Sequence, residues 1–281
     1  MVIIGGQPGS GKTDLIDIAM TELRDNVVIC NADQLRDFHP YSQSLKAVNE
    51  DWYRDITAPF AKEWNDILRQ HCEAKQLNII LETTFSSGPL MNQTIRSAKE
   101  RNYQVQIKLI AVPPQFSYLS TIKRYETALQ EEGSARIVGK QAHDERFEKL
   151  FPTVQDVCRA TLYDRIAIYK RNYLPDVSRK KALGVLPVVV KTPFIHMAFL
   201  EEIEPAWTDD LKRLFDHAVL DVEQMMINRN ASSQEIQQFR QEMKAEYPSI
   251  KQALQKNIQP SSQPLLKKKR IQTKKGRGKG L

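Results

Sequence analysis

The strongest chemical signature in the sequence is a glycine-rich segment close to its start. The segment is a glycine, four further residues and then Gly-Lys-Thr, and its members are Gly6, Gln7, Pro8, Gly9, Ser10, Gly11, Lys12 and Thr13. In this pattern backbone N–H groups turn toward phosphate oxygens, the lysine reaches the terminal phosphates, and the threonine hydroxyl binds Mg²⁺. The segment therefore predicts a site for ATP and Mg²⁺. The structural alternative is a glycine-rich turn that contains an incidental lysine.

Two acidic residues are candidates for the chemistry that a phosphate-binding loop does not supply. Phosphoryl transfer also needs a group that deprotonates the acceptor hydroxyl and a further ligand for Mg²⁺. Asp33 follows the second predicted strand and is a candidate base, and Glu82 follows the third and is a candidate ligand of Mg²⁺ or substrate. Because ligands bind at the carboxyl ends of parallel strands, both acids should lie near the phosphates. Acids at such positions are about as often turn residues or helix caps.

Two arginines are candidates for neutralising the transferred phosphoryl group. Arg124 and Arg136 flank the polar stretch 131–134, in a helical region after the fourth predicted strand. Kinases with this type of phosphate loop often carry a basic lid at that place. Each arginine, considered by itself, is also compatible with an ordinary surface position.

The elements that would position these residues alternate between strands and helices. Apolar runs predict strands at residues 1–4, 26–30, 77–81 and 105–112, with weaker candidates at 164–170 and 186–190. The first strand leads directly into the glycine-rich segment, and a helix follows it. This alternation predicts an α/β fold of the P-loop kinase type, with three layers and a mostly parallel sheet covered by helices on both faces.

The pattern changes after Pro205, where apolar residues recur at helical spacing and no strand is predicted. Two helices are expected there, the second starting at a capping box formed by Ser232 and Glu235. The helical pair either packs on its own domain or recruits a partner. We expect a kinase domain at 1–200, a helical hairpin at 201–257 and a disordered basic tail at 258–281.

Charge and composition restrict the class of protein. The formal net charge is +7, and residues 258–281 alone carry eight basic side chains and no acidic ones. Residues 1–257 are therefore near neutral. The tail is either a solvated terminus or a weak, non-specific contact for nucleic acid. No run approaches the roughly 18 apolar residues of a membrane span, and no signal peptide is recognisable. We expect a cytoplasmic protein with three reduced cysteines and no membrane partner.

Taken together, the motifs resemble those of the bacterial zeta toxins over residues 1 to about 170. The resemblance rests on the glycine-rich segment, Asp33, His39-Pro40, Glu82-Thr83-Thr84, Arg124-Tyr125-Glu126-Thr127, Ala135-Arg136 and Lys140-Gln141-Ala142-His143-Asp144. It implies a kinase that phosphorylates a hydroxyl of UDP-N-acetylglucosamine, blocks cell-wall precursor synthesis and is inhibited by a small helical antitoxin.

The resemblance also implies a role for each candidate residue. Lys12 and Thr13 would bind ATP and Mg²⁺, and Asp33 would be the base. Glu82 and Thr84 would contact the sugar nucleotide, and Arg124 and Arg136 would surround the transferred phosphoryl group. Three alternatives stay open: a kinase for another acceptor, such as a dinucleotide or a nucleic-acid end; a non-catalytic nucleotide-binding module; and restraint of the kinase by its own helical pair.

Overall fold

The structure is a computed structural model, and it describes residues 1–132, 135, 137–173, 184–190 and 194–244. The predicted lid arginine Arg136 and the predicted disordered tail at 258–281 lie outside the described residues. Within the described ranges, no helix is both long and apolar enough to cross a lipid bilayer.

A six-stranded sheet forms the centre of the described part of the chain. Its strands are β1 (Val2–Gly5), β2 (Val28–Cys30), β3 (Ile79–Thr83), β4 (Gln106–Ala111), β5 (Arg165–Arg171) and β6 (Val185–Pro187). They lie in the order β2-β3-β1-β4-β5-β6, with β1 to β5 parallel to their neighbours and β6 antiparallel to β5. The predicted α/β fold with a mostly parallel sheet is confirmed.

Helices follow most strands and cover the sheet. They are α1 (Lys12–Glu22), α2 (Ala32–Leu35), α3 (Ser42–Val48), α4 (Glu50–Ala74), α5 (Gly88–Glu100), α6 (Pro114–Glu132), α7 (Lys140–Ala160), α8 (Ile195–Ile203), α9 (Asp209–Asn228) and α10 (Ser233–Lys244), with a 3₁₀ turn at Arg36–Phe38. Val2 and Ile4 pack with Leu15 of α1, whereas Ile3 is buried on the opposite face because side chains alternate along a strand. Every residue of β1 is buried, as expected for a central parallel strand.

All six strands differ by one or more residues from the predicted bounds, and two of these shifts affect the interpretation. Glu82 lies within β3 and pairs in register with Ile4 of β1, rather than following the strand. The last predicted strand, at 186–190, is shorter and begins at Val185. Both shifts arise because pairing with a neighbouring strand, and not apolar composition alone, determines where a strand begins and ends.

The two helices after Pro205 form a hairpin that packs on α6. The predicted capping box is present: Glu235 N donates to Ser232 Oγ at 3.2 Å, and Ser232 N donates to Glu235 Oε2 at 2.9 Å. Arg229, between the two helices, donates two hydrogen bonds to the buried carboxylate of Glu126 on α6, at 2.6 and 3.0 Å. The hairpin is thus tied to the α/β core, while the domain boundaries at 200 and 257 stay predictions.

Candidate functional site

The glycine-rich segment forms a tight loop between β1 and α1 that passes against α6. Gly9 has φ of +73°, and a Cβ atom there would lie 2.1 Å from the carbonyl oxygen of Ser117. Gly11 has φ of +95° and caps the N-terminus of α1. Side chains are excluded at both positions by backbone conformation, and at Gly9 also by space. The loop is therefore held in one shape, with the positive end of the α1 dipole directed toward it.

Lys12 folds back over the loop from the first position of α1. Its Nζ donates to the carbonyl oxygens of Gly6 at 3.1 Å and Gln7 at 3.3 Å, and it lies 3.7 Å from Glu82 Oε1. Burial lowers the pKa of Lys12, whereas Glu82 and then Asp33 raise it and Arg124 lowers it. Glu82, Asp33 and Arg124 are thus each within electrostatic reach of Lys12.

Asn31 links the two predicted acids and was not singled out by sequence reasoning. Its Nδ2 donates to Glu82 Oε2 at 2.5 Å, and its Oδ1 accepts from Asp33 N at 2.8 Å, which caps α2. One amide side chain therefore fixes the Glu82 carboxylate and the start of the helix that carries Asp33. The signal available in the sequence was an asparagine, a preferred cap residue, directly after a strand.

Asp33 projects from the first turn of α2 toward solvent. Its Oδ1 pairs with Arg36 Nη2 at 2.9 Å, and 69% of its side chain is exposed. Arg36 is itself held, because its Nη1 donates to the carbonyl oxygen of Arg54 in α4 at 3.2 Å. The carboxylate of Asp33 is consequently oriented by a fixed cation and accessible to a molecule that approaches from solvent.

Thr84 lies at a strained turn directly after β3. Phe85, which follows it, is fully buried with φ of +54°, a left-handed conformation that costs a non-glycine residue about 1–2 kcal/mol. The Phe85 ring lies against Gly5 at the end of β1, and Phe85 N donates to Thr83 Oγ1 at 3.1 Å. Thr84 Oγ1 is 3.1 Å from Ser86 Oγ. The buried ring compensates the strain and fixes the turn that carries Thr84.

Of the two predicted arginines, Arg124 is among the residues that the structure describes and Arg136 is not. Arg124 is exposed on α6 and close enough to Lys12 to lower the pKa of the lysine. Arg136 lies outside the described residues, so its role stays a prediction.

Arg171 is a second cation at the loop, and the sequence did not identify it. It ends β5, and its Nη2 donates to the carbonyl oxygen of Gly9 at 2.7 Å while its Nη1 donates to Ser120 Oγ on α6 at 2.6 Å. Arg171 thereby joins β5, α6 and the loop. The signal available was a basic residue at the carboxyl end of a parallel strand.

A buried hydrogen-bond chain connects the loop to α7. Gln7 Nε2 donates to Ser117 Oγ at 3.2 Å, Ser117 Oγ lies 2.9 Å from His143 Nε2, and His143 Nδ1 lies 3.1 Å from Asp144 Oδ1. Burial lowers the pKa of His143, which favours the neutral ring. Neutral His143 then donates from Nδ1 to Asp144 and accepts from Ser117, so each donor in the chain has an acceptor.

Comparison with known proteins agrees with this geometry. The model of the family described as Zeta toxin matches residues 1–178. Toxin zeta of Enterococcus hirae is 29% identical over 191 residues, covering 64% of this chain and 66% of the relative. Toxin PezT of Streptococcus pneumoniae is 30% identical over 172 residues, covering 61% and 68%. The match thus spans about two thirds of these relatives.

Solved structures show the same fold. A structure from the PezAT chromosomal toxin–antitoxin system of Streptococcus pneumoniae superposes with a TM-score of 0.67 at 24% identity, covering 80% of this chain and 86% of that one. A structure of the AvrRxo1-ORF1:AvrRxo1-ORF2 complex gives a TM-score of 0.52 at 11% identity, covering 86% and 74%. The family match over more than half of the sequence, with the loop and the acidic residues in place, shows that the chain belongs to the zeta toxin family.

Proposed function

We propose that this member of the zeta toxin family is a kinase that transfers the γ-phosphoryl group of ATP to a sugar hydroxyl of UDP-N-acetylglucosamine or a related nucleotide sugar. The observation that carries the proposal is the contact of Lys12 with Glu82, together with the hydrogen bonds by which Asn31 joins Glu82 to the helix of Asp33. These contacts connect the phosphate-binding loop to the accessible carboxylate of Asp33 at the carboxyl ends of β1, β2 and β3.

The residues of the loop fit the triphosphate of ATP. A Cβ atom at Gly9 would clash with its surroundings, and the buried Ser10 Oγ has no hydrogen-bond partner among the described residues. The Lys12 ammonium now contacts two carbonyl oxygens of its own loop, and phosphate oxygens can replace them. ATP supplies the γ-phosphoryl group, and the loop amides, Lys12 and the α1 dipole bind its phosphates.

The donor set also fits Mg²⁺. Thr13 presents an exposed hydroxyl at the start of α1, and Glu82 presents a carboxylate beside Lys12. In the described part of the chain, no group of three His, Cys, Asp or Glu side chains is placed to hold a metal ion. Mg²⁺ commonly binds through one or two protein oxygens together with substrate phosphates, so Thr13 and Glu82 suffice as protein ligands.

Asp33 is the proposed base. Its carboxylate takes the proton of the sugar hydroxyl while the hydroxyl oxygen bonds to the γ-phosphorus, and the bond to the β,γ-bridging oxygen breaks to release ADP. Arg36 orients the Asp33 carboxylate at 2.9 Å. Lys12, Arg124 and Arg136 are the proposed cations that stabilise negative charge on the transferred group.

Aromatic side chains in and beside the segment that follows Asp33 in the sequence support an acceptor that contains rings. His39, just after the 3₁₀ turn, lies 5.1 Å from the ring of Phe60 and 6.0 Å from that of Tyr41, measured between centroids. Phe60 and Tyr41 are exposed. Exposed rings of this kind can stack on a nucleotide base or a sugar face. Thr84, at the rim, is the proposed hydroxyl contact to the acceptor.

The proposal is tested by separating ATP binding from turnover. Asp33→Asn should lower turnover with UDP-N-acetylglucosamine by about a hundredfold or more, in the range of general-base catalysis, and leave ATP affinity unchanged. Lys12→Ala should weaken ATP binding and abolish turnover together. Asp17→Asn, on the exposed face of α1, is the matched control and should behave as wild type. Wild-type turnover by Asp33→Asn would remove Asp33 as the base.

We also propose that a small helical antitoxin binds this chain in the cytoplasm. Support comes from the similar structure from Streptococcus pneumoniae, which belongs to the PezAT toxin–antitoxin system. Expression of the chain alone should arrest bacterial growth, and co-expression with its antitoxin should restore growth. Growth arrest that persists in Lys12→Ala would separate toxicity from kinase activity.

A further inference from the structure

A cavity of about 250 Å³ lies beside the phosphate-binding loop, between α6, the end of β5 and the helical hairpin. Phe116 and Ser120 line it from α6, Arg171 and Tyr173 from β5 and the residues after it, and Leu214 and Ala218 from α9. Arg171 lines the cavity and also contacts the loop, because its Nη2 donates to the Gly9 carbonyl oxygen. The cavity and the loop thus share the side chain of Arg171.

The order of the strands indicates which part of a nucleotide would enter this cavity. Lys12 lies against Glu82 of β3, and Asp33 follows β2, so the terminal phosphate and the acceptor belong on the β2–β3 side of β1. Lysine in such a loop reaches the β- and γ-phosphates, so the α-phosphate and the nucleoside leave in the other direction. That direction is the β4–β5 side, where the cavity lies.

The size and chemistry of the cavity suit a heterocyclic base. Pockets for whole ligands are about 300–1,000 Å³, so a slightly smaller volume fits one part of a nucleotide. Phe116 and Tyr173 provide rings 4.5 Å apart, and Leu214 and Ala218 provide an apolar wall. The buried hydroxyl of Tyr173 has no hydrogen-bond partner among the described residues, although burial of such a group is costly. The cavity therefore offers a base two aromatic rings and an apolar wall.

We propose that this cavity binds the base of the phosphate donor and that the C-terminal hairpin, through Leu214 and Ala218 of α9, forms one wall of it. The inference rests on the proposed kinase function. It gives a role to the helical pair, which lies beyond the 1–178 region matched by the family model. The ion pair of Arg229 with Glu126 then holds this wall against α6.

The test is to fill the cavity and measure binding of two probes by calorimetry. Ala218→Trp should weaken the binding of β,γ-imido-ATP at least tenfold and change the binding of inorganic tripolyphosphate less than twofold, since tripolyphosphate has no base. The matched control is Leu220→Trp, because Leu220 is 64% exposed on the same helix and does not line the cavity. It should bind both probes as wild type does. Unchanged affinity of Ala218→Trp for imido-ATP would overturn the inference.

Hydrogen exchange of the wild-type chain keeps the test decisive if Ala218→Trp does not fold. Imido-ATP should slow amide exchange in peptides covering 214–218 and 171–173, and tripolyphosphate should not. Equal protection by the two probes would contradict a base site. Failure of the proposed function looks different: the wild type would then bind imido-ATP at this cavity and yet transfer no phosphoryl group to any nucleotide sugar.

Discussion

The ion pair between Arg229 and Glu126 should be a major contribution to the attachment of the hairpin. The Glu126 side chain is 1% exposed and that of Arg229 is 21% exposed, and two hydrogen bonds connect them. Removing one partner of a buried pair leaves an uncompensated charge and costs about 3–5 kcal/mol. Because Arg229 is partly accessible to solvent, we expect Arg229→Ala to lower the free energy of unfolding by about 3 kcal/mol, at the low end of that range.

Urea unfolding, followed by tryptophan fluorescence, measures this cost. Trp207 stacks on Phe116 at the base of the hairpin, with ring centroids 5.7 Å apart, and reports on its attachment. Arg213→Ala is the control, because Arg213 and its partner Asp210 are both largely exposed and such pairs contribute about 0–1 kcal/mol. Adding Glu126→Gln to Arg229→Ala should recover part of the loss by removing the stranded charge. Equal losses in Arg229→Ala and Arg213→Ala would refute this reasoning.

Three further substitutions test the loop and its supports. Gly9→Ala should weaken ATP binding about tenfold or more in calorimetry, because φ at Gly9 is +73° and the Ser117 carbonyl oxygen blocks the new methyl group. The control is Gly139→Ala, which should bind ATP as wild type does, because a Cβ atom at Gly139 has no neighbour within 4 Å. Asn31→Ala should cost about 1 kcal/mol of stability through loss of the α2 cap, and should also lower turnover because Glu82 loses its hydrogen bond. The pKa of His143 is lowered by burial, so the stability that its neutral form contributes is present above its ordinary pKa of 6.5 and lost as pH falls through the folded-state value. The midpoint of thermal unfolding of His143→Gln should therefore depend less on pH below 6.5 than that of wild type. An identical pH dependence in the two proteins would show that His143 is not the source of this loss of stability.

The parts of the site that follow from local sequence were predictable. The loop could be recognised because its glycines, Lys12 and Thr13 are adjacent in sequence and each has a separate physical task. The capping box of Ser232 and Glu235 was predictable for the same reason. The α/β fold followed from apolar strands that alternate with helices, because such strands must be buried on both faces.

The parts that depend on distant contacts were not predictable. Asn31 meets Glu82 across 51 positions of sequence, and Arg171 meets Gly9 across 162, so no local pattern marks either contact. The strained turn at Phe85 depends on the space above Gly5, which only the packed sheet defines. Apolar spacing also does not distinguish a core face from an exposed one: Trp52 and Phe60 fit the helical pattern of α4, but both are exposed.

One measurement tests most directly whether the loop and Asp33 form a single phosphoryl-transfer site. Purified protein is incubated with ATP, Mg²⁺ and UDP-N-acetylglucosamine, and the products are analysed by mass spectrometry for wild type, Lys12→Ala and Asp33→Asn. We predict a phosphorylated nucleotide sugar, with ADP formed in equal amount, in wild type and not in either variant. Absence of any phosphorylated nucleotide sugar from wild type, or wild-type turnover in Lys12→Ala, would contradict the proposed function.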